Sequence, residues 1–389
     1  MRAGLLGRKL GHSLSPQIHR FFGDYEYRLC EKEPEEVEGF LRNGFASGDF
    51  DFLNVTIPYK QTVFELCDEL SPMARKLGNV NFVTRTADGK LKGGNTDAFG
   101  VERLLDANGI DVRGWNCAIL GAGGAAMTVK AVLEERGAKR VTFVRRGEEP
   151  AQDDELIVNA TPVGMFPDVD GVRVDISRYV ACKAVLDLVY NPSPTRLVRE
   201  ALACGKIAAD GMVMLISQAY RASRLVPSAQ CLVPSAGRNT LFLYGAPASG
   251  KSTWAKRIAA ATGWMPVDLD AEIVKATGRS IPEIFEKEGE KGFREVERRC
   301  LFSICGDETS PPQSGRVIAL GGGALLDPES RKIAEAAGRV VVLDCPLETL
   351  KTRLIGGDRP LSADTAKLEA LVKSRAAHYA SFPQQVKMI

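Results

Sequence analysis

The chain has 389 residues, a length that favours two or three domains. Hydrophobic residues make up 44% of it and charged residues 26%, as in an ordinary globular protein. The net charge of +2 gives no reason to expect nucleic acid or an anionic membrane as a partner, and no apolar run reaches the length of a membrane span. Nine scattered cysteines without a C-x-x-C pair predict reduced thiols in the cytoplasm and argue against a structural zinc site.

Apolar runs alternate with helical patterns along the chain, which predicts an α/β fold. In the first hundred residues, several polar side chains follow these runs. Ser13 and Ser15 stand in a loop before a helix, and they could simply cap it. Asn54, Thr56 and Lys60 come at or after the end of a strand, where open α/β sheets bind ligands, although Lys60 could equally be a surface lysine.

Two more polar segments complete this region. They are Asn79-Val-Asn81 and the glycine-rich turn Gly94-Asn95-Thr96-Asp97, which alone could be turn chemistry. Together with Ser13-Leu-Ser15-Pro and Asn54-Val-Thr56-Ile-Pro-Tyr-Lys60, in this order and at these spacings, they resemble shikimate dehydrogenase. The resemblance covers about residues 3–221, so it accounts for the first half of the chain.

The resemblance to shikimate dehydrogenase implies that the chain reduces the ketone of 3-dehydroshikimate with NADPH. It makes Lys60 and Asp97 the catalytic pair. A lysine beside a carboxylate can hydrogen-bond the substrate oxygen and relay a proton to it, which hydride transfer to a carbonyl carbon requires. The residues that the resemblance implies for substrate binding are Ser13, Ser15, Asn54, Thr56, Asn81, Tyr190 and Gln218.

A dinucleotide-binding pattern follows this substrate region. Gly121-Ala-Gly123-Gly124-Ala125-Ala126 fits G-x-G-x-x-[GA] between a strand and a helix. The next strand ends in Arg145-Arg146 instead of the acidic residue usual in NAD enzymes, and guanidinium groups suit a phosphate monoester, so NADP(H) is favoured. Either arginine could bind the 2′-phosphate, and the nearby Glu148 and Glu149 weaken this inference. The expected cofactor contacts are Gly121, Gly123, Gly124, Ala125, Arg145, Arg146, Asn159, Thr161 and Gly211.

A departure from the family pattern lies between Arg146 and the strand that begins at Leu156. This segment is too short for the helix and strand that the family places here, since a parallel crossover needs about a dozen residues or more. We therefore expect a Rossmann-like domain trimmed by about one αβ unit, with a changed wall on the adenine side of its pocket.

The second half of the chain is organised around Gly245-Ala-Pro-Ala-Ser249-Gly250-Lys251-Ser252, which matches the phosphate-loop pattern G-x-x-x-x-G-K-[ST]. An apolar strand precedes the motif and a helix follows it. The backbone N–H groups of the loop should bind phosphate oxygens, Lys251 should reach the β- and γ-phosphates, and Ser252 should bind Mg²⁺. The expected ATP contacts are Gly245, Ser249, Gly250, Lys251, Ser252 and Thr253.

Further motifs accompany this phosphate loop. They are Asp268-Leu-Asp270, the segment Gly289-Glu290-Lys-Gly-Phe293-Arg294, the triplet Gly321-Gly322-Gly323, the segment Asp358-Arg359-Pro-Leu, and Arg375. Together they resemble shikimate kinase over residues 240 to about 382. Taken singly, the aspartates could be helix caps and the arginines surface ion pairs.

The resemblance to shikimate kinase implies a role for each of these motifs. Asp270 accepts the proton of the attacking hydroxyl or orients it, and Asp268 helps to hold Mg²⁺. Arg294 and Arg375 bind the shikimate carboxylate, and the glycine triplet lets the backbone approach the substrate. Arg359 lies on a lid and stabilises charge on the transferred phosphoryl group, although the segment before it is short for a lid.

We therefore predict three parts. Residues 1–222 are dehydrogenase-like, with a substrate-binding domain (1–100 and 208–222) and a Rossmann-like NADP domain (101–207). Residues 223–239, in which Leu-Val-Pro-Ser-Ala occurs twice, are a linker. Residues 240–389 are a P-loop α/β domain with a parallel sheet, like that of nucleoside monophosphate kinases.

The predicted function is the reduction of 3-dehydroshikimate to shikimate with NADPH, followed by its phosphorylation with ATP and Mg²⁺ to shikimate 3-phosphate. The alternative is an active kinase whose first half acts on quinate or serves only as a binding module. The expected partners are therefore small molecules, and the sequence makes no prediction of the oligomeric state.

Overall fold

The structure is a computed structural model that describes residues 1–11, 13–226, 240–306, 315–355 and 365–388. The chain divides into two compact units. The first consists of residues 1–16, 25–226 and 260–262. The second, over the described residues, consists of 17–24, 240–259, 263–306, 315–355 and 365–388.

The first sheet of the first unit has six strands. In chain order they are β1 (Arg2–Gly7), β2 (Glu26–Glu31), β3 (Phe52–Val55), β4 (Glu69–Leu70), β5 (Phe82–Arg85) and β6 (Leu91–Gly94). Their order across the sheet is β2-β1-β3-β5-β6-β4, with β1 parallel to β2 and β3, and with β5 antiparallel to β3 and β6. The helices in this stretch are α1 (Ser15–Phe22), α2 (Val37–Ala46), α3 (Lys60–Leu66) and α4 (Pro72–Leu77).

The second sheet of the first unit has five strands, all parallel. They are β7 (Asn116–Leu120), β8 (Arg140–Val144), β9 (Leu156–Asn159), β10 (Ala184–Asp187) and β11 (Ile207–Asp210), in the order β11-β10-β9-β7-β8. The accompanying helices are α5 (Asp97–Ala107), α6 (Gly124–Glu135), α7 (Arg196–Ala203) and α8 (Met212–Leu225). Because α8 runs to Leu225, the first residues of the expected linker are helical, and residues 227–239 lie outside the described part of the chain.

Both faces of this second sheet are buried, as is usual for a parallel sheet. Ile119, Val158 and Leu186 belong to one hydrophobic cluster, with residues of α5 and α6. Their neighbours along the strands, Ile157 and Val185, belong to a different cluster, with residues of α7. The alternation explains why the central strands read as continuous apolar runs in the sequence.

The expected trimming of the Rossmann-like domain is confirmed. Residues 145–155 join β8 directly to β9 and contain neither a helix nor a strand. A doubly wound dinucleotide-binding sheet has the strand order 3-2-1-4-5-6. The order found here matches that pattern without strand 3, so β8 becomes the edge of the sheet.

The second unit contains one five-stranded parallel sheet. Its strands are β12 (Thr240–Tyr244), β13 (Met265–Asp268), β14 (Arg316–Ala319), β15 (Arg339–Asp344) and β16 (Gln385–Lys387), in the order β13-β14-β12-β15-β16. The helices are α9 (Lys251–Thr262), α10 (Leu269–Thr277), α11 (Ile281–Gly306), α12 (Pro328–Ala337), α13 (Leu347–Ile355) and α14 (Thr365–Ala380). The parallel α/β architecture expected for this half is therefore present. Within the described ranges, no helix is long and apolar enough to cross a membrane.

Helices α5 and α8 of the first unit contact each other closely at Gly100, in the middle of α5. A Cβ atom at this position would lie 2.8 Å from Cγ and 2.9 Å from the backbone oxygen of Met214 in α8. Real Cβ atoms do not approach other atoms this closely, so glycine is needed here. The contact matters for the site because α5 begins at Asp97 and α8 carries Gln218.

We predict that Gly100→Ala destabilises the first unit by about 1–3 kcal/mol, because the new methyl group has to push α8 away. The measurement is urea unfolding together with dehydrogenase turnover. The matched control is Gly39→Ala in α2, where a Cβ atom meets nothing within 4 Å. The same change in an open helical position should stabilise the protein by about 0.5–1 kcal/mol. Equal effects of the two substitutions would contradict the prediction.

Candidate active sites

The first candidate site is built around an ion pair between Lys60 and Asp97. Nζ of Lys60 lies 2.6 Å from Oδ2 of Asp97, and the two side chains are 18% and 9% exposed. Lys60 is the first residue of α3, and Asp97 is the first residue of α5. A carboxylate interacts favourably with the free N–H groups at a helix N-terminus, and Asp97 occupies this position in α5. A half-buried lysine held by a carboxylate is suited to proton transfer.

The turn before Asp97 is held by two amide side chains. Oδ1 of Asn95 accepts hydrogen bonds from the backbone N–H of Asp97 at 2.9 Å and of Ala98 at 3.2 Å. The side chain of Asn81, which is buried, donates to Oγ1 of Thr96 at 3.1 Å and accepts from its backbone N–H at 2.7 Å. Asn81 is thus bound to the residue that precedes Asp97, and its amide is used by the protein.

Polar side chains also connect the loop before α1 to strand β3. Oγ of Ser13 donates to Oγ of Ser15 at 3.1 Å. The hydroxyl group of Tyr27 on β2 donates to Oδ1 of Asn54 at 2.9 Å, and it also interacts with Ser15. Burial raises the pKa of Tyr27 well above its ordinary value, so it remains a neutral donor. Tyr27 was missed by the sequence reasoning because nothing in the Glu26–Glu31 run marks it as part of a site.

The remaining substrate residues are placed on several elements. Thr56 directly follows β3, and its N–H donates to the backbone oxygen of Leu6 at 2.9 Å. Gln218 lies in α8, where Nε2 donates to the backbone oxygen of Leu215 at 3.2 Å. Tyr190 follows β10, is half-buried and has a pKa raised by burial. Within the described ranges, neither Tyr190 nor Gln218 forms a hydrogen bond to the Lys60–Asp97 pair.

The glycine-rich turn after β7 can accommodate a dinucleotide. Gly121 has φ +103°, a conformation that favours glycine, and a Cβ atom there would lie 3.0 Å from Cγ2 of Thr161. A Cβ atom at Gly123 or Gly124 would meet no atom within 4 Å. This space lies at the N-terminus of the twelve-residue helix α6, whose first turn includes Ala125 and whose free N–H groups favour a pyrophosphate.

The loop after β8 presents the two arginines expected at the 2′-phosphate. Arg145 and Arg146 are both exposed, and no hydrogen bond or ion pair engages either guanidinium group within the described chain. Glu148, which weakened the sequence inference, accepts a hydrogen bond from the backbone N–H of Arg145 at 2.7 Å. Glu149 accepts one from the hydroxyl group of Tyr179 at 2.5 Å. Both carboxylates are therefore engaged by the protein.

A buried carboxylate, Asp187, supports the turn after β9. It accepts hydrogen bonds from Nδ2 of Asn159 at 2.8 Å and from the hydroxyl group of Thr195 at 2.8 Å. Oδ1 of Asn159 in turn accepts from the hydroxyl group of Thr161 at 2.6 Å. Burial raises the pKa of Asp187 from 3.8 to about 6, and the hydrogen bonds only partly offset this effect. Gly211 packs nearby, since a Cβ atom there would lie 2.2 Å from the backbone oxygen of Leu188.

The second candidate site begins with the phosphate loop between β12 and α9. Gly245 and Gly250 have φ +131° and +90°, and Ala248 has φ +62°. Nζ of Lys251 donates to the backbone oxygens of Gly245 at 2.9 Å and of Ala246 at 2.8 Å. Oγ of Ser249 is buried and has no hydrogen-bond partner within the described ranges. The loop thus holds its lysine close to the backbone N–H groups at the start of α9, which also carries Thr253 in its first turn.

The expected magnesium residues are in direct contact. The hydroxyl group of Ser252 donates to Oδ2 of Asp268 at 2.6 Å, and Oδ1 of Asp268 accepts from the backbone N–H of Asp270 at 3.1 Å. Asp268 therefore also caps α10, the alternative role that was considered for it. A hydroxyl group beside a carboxylate provides hard oxygen ligands of the kind that Mg²⁺ prefers.

The glycine triplet after β14 is where the other kinase residues meet. A Cβ atom at Gly321 would lie 2.6 Å from Oε1 of Glu297 and 3.5 Å from Oδ1 of Asp270. A Cβ atom at Gly323 would lie 2.5 Å from NH2 of Arg294. The backbone oxygen of Gly322 accepts a hydrogen bond from the hydroxyl group of Tyr379 at 2.7 Å. Side chains from α10, α11 and α14 thus converge on one short backbone segment.

Glu297 is the residue of this site that the sequence reasoning missed. NH1 of Arg294 lies 2.6 Å from its Oε2, while its Oε1 is buried and has no hydrogen-bond partner among the residues that the structure describes. Burial raises the pKa of Glu297, although the charges of Arg294 and Arg375 pull it down. The spacing Arg294-x-x-Glu297 on one helix was the available signal, since residues three apart lie on the same face.

Arg359 lies outside the described residues, so its expected place on a lid is neither supported nor opposed. A different arginine, Arg353 in α13, is near the phosphate loop. Its NH1 would lie 3.7 Å from a Cβ atom at Gly250, and it donates to Sγ of Cys345 at 3.6 Å. The sequence analysis assigned no role to Arg353.

Comparison with known proteins gives the family of the first half. The family model for the shikimate dehydrogenase substrate-binding domain matches residues 5–83. Shikimate dehydrogenase (NADP(+)) of Clostridium beijerinckii is 35% identical over 245 residues, which cover 57% of this chain and 90% of that protein. The chain belongs to the shikimate dehydrogenase family. The family model for shikimate kinase matches residues 247–387, so the second half is a shikimate kinase domain.

Two solved structures extend this comparison for the dehydrogenase half. A chorismate mutase/shikimate 5-dehydrogenase fusion protein from Clostridium acetobutylicum is 31% identical, with a TM-score of 0.55, and covers 58% of this chain and 91% of its own. Shikimate 5-dehydrogenase from Thermus thermophilus, in complex with NADP(H) and shikimate, is 31% identical, with a TM-score of 0.53, and covers 59% and 94%. The chain is thus a bifunctional shikimate-pathway enzyme, and the quinate-specific and binding-module alternatives are not favoured.

We predict that Asp187→Asn changes how stability depends on pH. Below pH ~4 the carboxyl group is protonated in both states; as the pH rises to about 6, the unfolded state loses its proton first, so the folded state is progressively disfavoured. The substitution removes this loss, which is on the order of 2–3 kcal/mol. In urea unfolding, the free energy of unfolding of the variant relative to that of wild type should therefore be higher at pH 7 than at pH 4.

The control for this prediction is Asp88→Asn. The hydrogen bond from Thr86 and then the one from Lys90 lower the pKa of Asp88 to about 2, so its contribution to stability is lost only as the pH falls below ~4. Asp88→Asn should therefore lower stability by a similar amount at pH 4 and pH 7. A difference between wild type and Asp187→Asn that is the same at both pH values would show that folding does not raise the pKa of Asp187.

Proposed function

We propose that the first half reduces 3-dehydroshikimate to shikimate with NADPH, and that the second half phosphorylates shikimate with ATP and Mg²⁺. The observation that carries this proposal is the presence, on one chain, of the Lys60–Asp97 pair and of a phosphate loop joined to Asp268. The Lys60–Asp97 pair suits the reduction of a ketone to a hydroxyl group. The phosphate loop suits the transfer of a phosphoryl group to a hydroxyl group. We propose that the dehydrogenase part comprises residues 1–222 and the kinase domain residues 240–389. The cytoplasmic location of the protein remains a prediction.

In the first site, the turn with Gly121, Gly123 and Gly124 would hold NADPH, which would supply the hydride. Lys60 donates a proton to the carbonyl oxygen of the substrate as that oxygen becomes a hydroxyl group, and Asp97 orients the ammonium group through the 2.6 Å contact. The hydroxyl groups of Ser13 and Ser15 bind the substrate carboxylate, and Thr56, Asn81, Tyr190 and Gln218 complete the pocket. Unengaged guanidinium groups at Arg145 and Arg146 support NADPH over NADH.

In the second site, the bound Mg²⁺ would neutralise charge on the phosphates and would be held by Ser252 and Asp268. Lys251 exchanges its two backbone partners for phosphate oxygens. Arg294 and Arg375 bind the carboxylate of shikimate, and Asp270 orients the attacking hydroxyl group. Oε1 of Glu297, buried beside Gly321 and without a hydrogen-bond partner in the described part of the chain, would be available to a second hydroxyl group of the substrate.

The proposal is tested by a single reaction with the purified chain, 3-dehydroshikimate, NADPH, ATP and Mg²⁺, with products identified by mass. We expect shikimate 3-phosphate together with consumption of NADPH. Shikimate without phosphate would rule out the kinase step, and phosphorylation of added shikimate without reduction would rule out the dehydrogenase step. If neither product is formed, both assignments are overturned.

We predict that Lys60→Ala lowers the turnover number of the dehydrogenase by about a hundredfold to ten-thousandfold, as expected for the loss of a proton donor. Phosphorylation of added shikimate by the same preparation should be unchanged, and this activity serves as the folding control. Lys76→Ala, at a half-exposed lysine paired with Glu135, is the matched surface control. A similar loss of dehydrogenase turnover in both variants would show that Lys60 is not the proton donor.

We also predict that Arg294→Ala raises the KM of the kinase for shikimate and destabilises the protein. The substitution leaves the buried Glu297 without its partner, and breaking such a pair costs about 3–5 kcal/mol. The double variant Arg294→Ala/Glu297→Gln should regain much of the stability but not the substrate affinity. Full recovery of KM in the double variant would show that Arg294 acts only through Glu297.

A further inference from the structure

The trimmed edge of the Rossmann-like sheet has a replacement for the αβ unit that is missing there. Residues 145–149 form the loop after β8, which we call the arginine loop. In a complete sheet a third strand would lie beside β8. In this chain, contacts to the arginine loop come instead from residues 173–179, which we call the supporting segment.

The supporting segment is itself anchored in the hydrophobic core. Val174, Ile176 and Tyr179 are buried and belong to the cluster that packs against β7, β9 and β10. Arg173 lies directly before the first of these anchors. Its position is therefore set by the core of the sheet, and not by the exposed loop that it contacts.

Arg173 holds the backbone of the arginine loop. Its NH2 group donates to the backbone oxygen of Arg145 at 2.5 Å and to that of Glu148 at 3.4 Å. The loop closes on itself through the N–H of Glu148, which also donates to the backbone oxygen of Arg145, at 3.0 Å. One guanidinium group thus bridges both ends of the turn that carries Arg145 and Arg146.

Tyr179 holds the acidic end of the same loop. Its ring is 1% exposed, and its hydroxyl group donates to Oε2 of Glu149 at 2.5 Å. Burial raises the pKa of Tyr179 to about 12, and Glu149 adds to this effect, so the hydroxyl group stays protonated as a donor. A free carboxylate in this loop would repel a phosphate and could bind the ribose hydroxyl groups of NAD.

We infer that Arg173 and Tyr179 are positioning residues that determine the preference for a dinucleotide with a 2′-phosphate. Arg173 fixes the backbone from which the two unengaged guanidinium groups project, which reduces the entropy lost when they bind phosphate. Tyr179 keeps the carboxylate of Glu149 occupied. This inference rests on the proposed use of NADPH and extends it to residues outside the glycine-rich and arginine motifs.

The test measures the binding of NADPH and NADH to the full chain by fluorescence titration, together with KM and kcat for both cofactors. Arg173→Ala should raise the Kd for NADPH by about tenfold, the effect of losing hydrogen bonds from a charged group. The Kd for NADH should change by less than about twofold, and kcat at saturating NADPH should stay the same. The matched control is Arg178→Ala, an exposed arginine of the supporting segment with no side-chain hydrogen bond within the described chain.

A second pair of variants separates positioning from folding. Tyr179→Phe keeps the buried ring and removes only the hydroxyl group, so it should weaken NADPH more than NADH. Adding Glu149→Gln removes the released charge and should restore the affinity for NADPH. A general loss of fold would instead weaken both cofactors together and would not be rescued.

Each outcome decides the inference. A wild-type chain that prefers NADPH, with a preference that is unchanged in Arg173→Ala and Tyr179→Phe, overturns the inference and leaves the proposed cofactor standing. Equal losses for both cofactors also overturn it, because the two residues would then act only on the fold. A wild-type chain that binds NADPH and NADH equally overturns the proposed cofactor and the inference with it.

Discussion

One constraint governs where chemistry occurs in this chain. In each sheet, site residues lie at or directly after the carboxyl ends of strands that have a parallel neighbour. Thr56 follows β3, Gly121 follows β7 and Asn159 ends β9, while in the second unit the phosphate loop follows β12 and Asp268 ends β13. At these ends, turns follow the strands, and the N-termini of α6 and α9 supply free N–H groups. The apolar strands can therefore pack on both faces, and the polar chemistry is confined to one edge of each sheet.

Buried carboxylates in the two sites have two kinds of partner. Asp97 and Glu297 each form a close ion pair, with Lys60 and with Arg294. Asp187 is held instead by neutral donors, the side chains of Asn159 and Thr195. Burial raises the pKa of both Asp187 and Glu297, and in Glu297 the charge of Arg294 opposes this effect. The hydrogen bonds of Asp187 maintain the geometry of the turn at Asn159.

The sequence was sufficient for the architecture because motif spacing and strand length report backbone topology directly. The phosphate loop, the glycine-rich turn and the short segment after Arg146 each specified a strand, a turn and what had to follow. Tyr27 and Arg173 were beyond it for a different reason. Their contacts join positions that are separated by tens of residues, and a single sequence contains no signal for such tertiary pairs. Glu297 differs from them, because its i,i+3 spacing from Arg294 on one helix was a local signal.

The position of the trimmed unit explains why the loss is tolerated. β9 and β10 are buried on both faces, so removing either would open two hydrophobic clusters. β8, at the edge of the sheet, is partly exposed, whereas β9 and β10 are buried along their whole length. The deletion therefore affects the adenine end of the cofactor site, while the Lys60–Asp97 pair and the turn at Asn159 depend on strands that remain. What the missing unit leaves unsupported is one loop, and a few hydrogen bonds from an already buried segment are sufficient to hold a loop of five residues.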